Sequence, residues 1–255
     1  MTEPTQIANC LNEHFSSVGE KMAEKFIVKE DSKDPLDFVD CNPSNSAEFE
    51  LTDENEVLEL IQKLKNNKAC GFDLISNKIL KSTCKTIVPF ITRLFNVCIV
   101  NGIFPSCFKI AQVVPLFKGG DKESPSCYRP ISLLPALGKL LEKIVSFRAL
   151  NYLNENNLLS EHQFGFRKHF STEYAILDLY EKLLHNLDNK LSSCAIFLDL
   201  AKAFDSVDHG ILLRKLSKYG FRDNFLNFFS SYLNSGSQFV KIDKAECQFS
   251  SIHHK

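Results

Sequence analysis

The chain has 255 residues, 44% of them hydrophobic and 24% charged, which suits one large soluble domain or two modest ones. That composition excludes a wholly disordered chain, a collagen and a coiled-coil rod. The net charge of −1 conceals a division: residues 1–60 carry four basic and fifteen acidic side chains, a balance of −11, while residues 61–255 carry +10. Such asymmetry fits a polyanionic partner, or an unevenly solvated surface.

The first ten residues have no basic start and no apolar run, so no secretory signal is expected and the protein is read as intracellular, in nucleus or cytoplasm. No apolar run approaches the ~20 residues that span a bilayer. The nine cysteines contain no Cys-x-x-Cys pair, so a zinc site is not indicated, and free thiols are expected over a disulfide framework. Residues 1–50 read as an acidic leader: an amphipathic helix over 7–26, with Ile7, Leu11, Phe15, Val18 and Met22 near helical spacing, then a Pro-, Asp- and Ser-rich linker.

From residue 51 the pattern tightens. Thr52 is a plausible N-cap for a helix carrying Val57, Leu60, Ile61 and Leu64 on one face. KACGFDLISNKILK suggests a Gly-centred turn and a short helix. Ile87, Ile91, Leu94, Phe95, Cys98 and Ile99 mark another helix, ending near Asn101-Gly102. Residues 110–117 read as a strand, followed by the turn-rich tip KGGDKESPSCYRP. Helices are expected over 138–154, 172–188, 208–219 and 223–234, with Gly220 stopping the third of these. CAIFLDL, 194–200, is a strand by composition, and Gln238–Ile242 with Cys247–Ser251 suggest a final hairpin. Helices and strands are mixed, so the fold class is α/β or α+β.

The chemistry concentrates in AIFLDLAKAFDSVDH, 195–209. An apolar run delivers Asp199 at its end, where a carboxylate is costly to desolvate unless it meets a cation such as Mg²⁺. The plain alternative is a surface Asp, with Asp208 capping the next helix. His162, His185 and His209 lie on different elements and read as surface or satisfied side chains.

This segment resembles motif A of reverse transcriptases, and the body from about 51 to 250 resembles those of non-LTR retrotransposons of the jockey and chicken-repeat type. NNKACGFDLISNKILK (66–81), VVPLFKGGDKESPSCYRPISLL (113–134), LLSEHQFGFRKHFST (158–172) and IFLDLAKAFDSVDH (196–209) carry the resemblance in order. It implies an α+β fold: right-hand polymerase fingers and a partial palm over 51–255, behind the acidic leader. It implies RNA-directed DNA synthesis with two Mg²⁺ ions, one activating the primer 3′-hydroxyl and one steadying the pyrophosphate. Asp199 matches the carboxylate that binds metal, with the Leu200 backbone carbonyl beside it. Phe204 matches the aromatic gate beneath the sugar; its alternative is a core aromatic. Lys118 and Arg129 match a triphosphate clamp, the guanidinium fork suiting two oxygens; their alternative is a solvated basic loop. Arg167 and Lys168 match a template or primer backbone contact, although His169 and Phe170 depart from the Gly or Asn frequent after that pair. The implied partners are an RNA template, a DNA primer and dNTPs, with no membrane.

The sequence holds no Asp-Asp dipeptide, where the family places further carboxylates on the palm hairpin. The chain is therefore expected to be a truncated polymerase that does not extend a primer alone, with an exposed palm edge prone to self-association. The competing expectations are a non-catalytic nucleic-acid-binding remnant and a domesticated interaction protein.

Overall fold

The computed structural model describes residues 3–23, 34–39, 43, 45–200, 202–242, 245–246 and 250–252. In chain order the elements are α1 (Pro4–Ser16), α2 (Val18–Ala23), α3 (Glu54–Gln62), α4 (Asn77–Asn101), β1 (Ile110–Phe117), β2 (Tyr128–Leu133), α5 (Ala136–Glu155), α6 (Thr172–Asp188), α7 (His209–Lys218), α8 (Asp223–Leu233), β3 (Gly236–Ile242), β4 (Ala245–Glu246) and β5 (Ser250–Ile252). The mixture is α+β, as expected. Parts of the linker (24–33, 40–42, 44) and residues 247–249 of the last hairpin lie outside the described residues.

The main core is aromatic. Phe225, Phe228, Phe229 and Tyr232 recur at i, i+3, i+4 and i+7 on α8, so one face of that helix presents four rings. Phe225 stacks on Phe49 with centroids 4.1 Å apart. Phe228 meets Phe104 edge-on at 5.7 Å. Leu140, Leu141 and Ile144 of α5, Val57 and Ile61 of α3, and Ile91, Phe95 and Ile99 of α4 close the same cluster.

Three expectations are corrected here. Asp53, not Thr52, caps α3: its carboxylate accepts the Glu56 amide at 2.8 Å. Thr52 instead exchanges two 2.9 Å hydrogen bonds with the Asn96 amide, tying α3 to α4. The short helix after the GFD turn and the helix that follows are one 25-residue helix, α4, with Pro89 inside it. A mid-helix proline costs ~3 kcal/mol. The stripe Leu80, Val88, Ile91, Phe95 and Cys98 continues across it into one core, and that burial outweighs the loss. Among the described residues α4 alone is long and apolar enough to span a bilayer, but that stripe makes it a core helix. Gly102, at φ +60°, ends it as expected.

The third correction concerns 194–200, which is irregular rather than a strand. Its side chains are turned to solvent: Ile196 is 81% exposed and Leu198 89%. A strand persists only within a ladder. The sheet runs β2-β1-β3-β4, with β5 also on β3. β1 is thus occupied on one edge by antiparallel β2 and on the other by parallel β3, and 194–200 has no neighbour among the described strands.

A second, smaller core joins the sheet to α1. Ala8 and Leu11 pack on Ala111, Val113, Phe239 and Val240. Asn12, buried beside them, accepts from Gln238 at 3.2 Å and donates to the Ser250 hydroxyl at 2.8 Å. The opening helix is therefore seated on the sheet, and polar pairing fixes its register there.

Candidate nucleotide and nucleic-acid site

The β1–β2 hairpin carries the two clamp candidates. Arg129 stands opposite Leu116 in the antiparallel register, and both are exposed. Lys118 follows β1 at the tip, where its amide donates to the Cys127 carbonyl at 2.9 Å. The tip is ordered by its own bonds: the Asp121 carboxylate accepts the Glu123 amide at 2.9 Å, and the Tyr128 hydroxyl donates to the Lys122 carbonyl at 2.9 Å. Both cations are thus held at the open end of a stiff hairpin.

Behind it, the GFD turn meets the end of the PISLLP stretch. A methyl group on Gly71 would sit 2.6 Å from the Pro135 nitrogen and 2.7 Å from the Leu134 carbonyl carbon. Only a glycine lets these two backbones approach so closely, so two of the four motifs are packed directly together.

Arg167 is already engaged. Its guanidinium donates to the Ser160 carbonyl at 2.8 Å and lies 4.2 Å from the Phe170 ring centroid. Lys168, next to it, is exposed. Ser171 caps α6 through the Tyr174 amide at 3.4 Å, so the basic pair precedes a helix N-terminus, a favourable place for phosphate.

Asp199 and Leu200 lie in the irregular segment, both exposed, and Phe204 sits in the turn 202–206. Asp208 caps α7 through the Ile211 amide at 2.8 Å, the structural role expected of it. No group of three or more His, Cys, Asp or Glu that could hold a metal ion exists among the described residues. One carboxylate and one carbonyl supply too few anionic ligands for two divalent ions ~3.5–4 Å apart. The described residues do not by themselves fit a two-ion centre.

The sequence reading missed what joins these parts. His14, on α1, has its imidazole held below the ordinary histidine range, first by burial and then by the charges of Lys202, Lys21 and Lys118. Lys118 belongs to the hairpin tip, and Lys202 comes three residues after Asp199. Both charges act on one ring of α1. Phe166 is the other missed residue: its ring meets that of Phe204, with centroids 5.9 Å apart and planes at 89°. Phe166 and Lys202 stand inside quoted motifs, but His14 carries no pattern that marks it.

The family profile described as reverse transcriptase (RNA-dependent DNA polymerase) matches residues 120–252. That span contains Arg129, Arg167, Lys168, Asp199, Leu200 and Phe204, and leaves Lys118 two residues outside. The chain is 30% identical over 236 residues to a probable RNA-directed DNA polymerase from transposon BS of Drosophila melanogaster, covering 92% of this chain and 26% of that protein. It is 34% identical over 191 residues to the probable RNA-directed DNA polymerase from transposon X-element of the same fly, covering 74% and 21%. It is 32% identical over 189 residues to the RNA-directed DNA polymerase from its mobile element jockey, covering 74% and 20%. The chain spans about a quarter or less of the length of these relatives.

Proposed function

Because the chain belongs to the reverse transcriptase (RNA-dependent DNA polymerase) family, we propose that it forms the fingers and early palm of an RNA-directed DNA polymerase of a non-LTR retrotransposon. Reverse transcriptases act on a nucleic-acid template and primer and use divalent metal ions. In this reading the chain holds an RNA template, a DNA primer and an incoming dNTP. Arg129 and Lys118 grip the triphosphate, Lys168 and Arg167 meet the nucleic-acid backbone, and Phe204 underlies the sugar. Asp199, with the Leu200 carbonyl, offers Mg²⁺ one carboxylate. No step is assigned to the metal, because the described residues do not complete its site.

The observation that carries this reading is the match of residues 120–252 to the reverse transcriptase profile, a span that holds Arg129, Arg167, Lys168, Asp199 and Phe204. In this reading one nucleotide engages the hairpin tip together with Asp199 and Phe204. Arg129 provides a forked, charge-assisted contact, and such contacts are worth about 1.5–3 kcal/mol. Arg129→Ala should therefore weaken binding of a fluorescent dNTP to the chain–template–primer complex about tenfold or more. An unchanged affinity would contradict the assignment.

A second reading is favoured by the +10 balance of residues 61–255. The chain binds template and primer through its basic body without extending the primer. Phosphate neutralisation would make that binding fall steeply with salt. Primer extension beside Asp199→Asn separates the two readings. We further propose that the exposed apolar side chains of 191–200, Phe204 and α6 drive self-association of the isolated chain.

A further inference from the structure

We propose that Phe166 is a positioning residue for Phe204 and thereby sets how strongly the site rejects a ribose. The inference rests on the reading of Phe204 as the sugar gate. A gate discriminates by the position of one ring edge relative to one hydroxyl, so its side chain must stay within about 0.5 Å of the working geometry. Phe204 has no core to hold it there. It lies in the turn 202–206 and is 77% exposed.

The aromatic partner of Phe204 is Phe166, in an edge-to-face contact with centroids 5.9 Å apart and planes at 89°. This arrangement sets the positive edge of one ring against the negative face of the other and favours one mutual orientation. Phe166 is itself 84% exposed, so core burial does not account for its position. Its backbone stands at φ +60°, a conformation unfavourable for a bulky side chain. Strain of this kind persists where the surroundings fix it, and it clusters at functional sites.

The surroundings do fix it. The next residue, Arg167, is anchored to the Ser160 carbonyl at 2.8 Å and to the Phe170 ring at 4.2 Å. Phe170 in turn meets Phe164 edge-on at 5.9 Å. The Gln163 amide donates to the Ser160 carbonyl at 3.1 Å. The loop 158–171 is thus a braced platform, and Phe166 is the ring it presents to the gate. Because Phe166 fills no core, removing its ring leaves the apolar clusters intact.

The experiment measures the affinities of labelled dATP and ATP for the full chain on an RNA template–DNA primer with uracil as the next template base. The wild-type chain should prefer dATP. Phe204→Ala should narrow that preference. Phe166→Ala should narrow it about 2- to 10-fold, the worth of one aromatic pair, with dATP affinity nearly kept. Phe166→Tyr, which retains the ring, should restore the preference, and Phe166→Ala should add nothing to Phe204→Ala. A preference narrowed by Phe204→Ala but untouched by Phe166→Ala overturns the inference and leaves the gate intact. A preference absent from the wild type, or unchanged by Phe204→Ala, overturns the gate reading and the inference with it. Should Phe166→Ala lower the melting temperature, Phe166→Leu, which keeps apolar bulk without the ring, gives the same decision.

Discussion

His14 shows how one side chain can report the assembly of a site. Its imidazole is disfavoured as a cation by burial and by Lys202, Lys21 and Lys118, in that order. Removing one positive neighbour must raise its pKa toward the ordinary value. Lys202→Gln should therefore shift the His14 titration upward in an NMR pH series, and Lys118→Gln should do so by less. No shift in either variant would contradict the electrostatic influence of these lysines on His14. The sign also bears on stability. A histidine with a depressed folded pKa opposes folding once the unfolded chain takes up a proton, so this contribution is unfavourable below pH ~6.5 and absent above it.

At the scale of elements, the junction between α7 and α8 requires a glycine. Gly220 stands at φ +96°, and a methyl there would lie 2.2 Å from the Tyr152 hydroxyl. That hydroxyl is within hydrogen-bonding reach of the Asn45 carbonyl at 2.7 Å and the Tyr219 carbonyl at 3.0 Å. The Gly220 carbonyl also accepts the Ala47 amide at 2.9 Å. Gly220→Ala combines left-handed strain with a displaced buried hydroxyl, each worth about 1–3 kcal/mol. It should destabilise the chain by about 2–4 kcal/mol in urea unfolding, and a loss under 0.5 kcal/mol would contradict the packing described.

The elements best read from sequence are those whose signals are local. The strand 110–117, helix 172–188 and the stops at Gly102 and Gly220 follow from periodicity and from residues that tolerate positive φ. Two readings failed for a shared reason. The sequence suggests a short helix after the GFD turn and another marked by Ile87 to Ile99, but a continuous buried stripe holds them as one helix with Pro89 inside it. Residues 194–200 were expected to form a strand, but composition cannot supply a ladder partner. In both cases a tertiary neighbour decided the outcome. The site divides in the same way. Arg129, Lys118 and Asp199 stand in motifs and could be named at once. The influence of Lys202 on His14, far apart in the chain, and the contact of Phe204 with Phe166 exist only in three dimensions.

On the scale of the whole molecule there are two cores, one among helices and one between the sheet and α1, and α6 contributes no buried residue to either. Ile176, Leu184 and Leu187 on that helix are exposed together with Ile196, Phe197 and Leu198. Surface of that extent and character associates in water. Sedimentation at micromolar concentration should show oligomers that dissociate on Leu184→Glu with Leu187→Glu, whereas a monomer at every concentration would contradict the proposal.

In the proposed function this fold selects a nucleotide against a nucleic-acid template. Templated selection can be read without chemistry, by the lifetime of the chain on an RNA template–DNA primer in the presence of each dNTP. The complementary dNTP should prolong the complex, the other three should not, and Arg129→Ala should abolish the difference. A lifetime independent of which dNTP is present would contradict the proposed function.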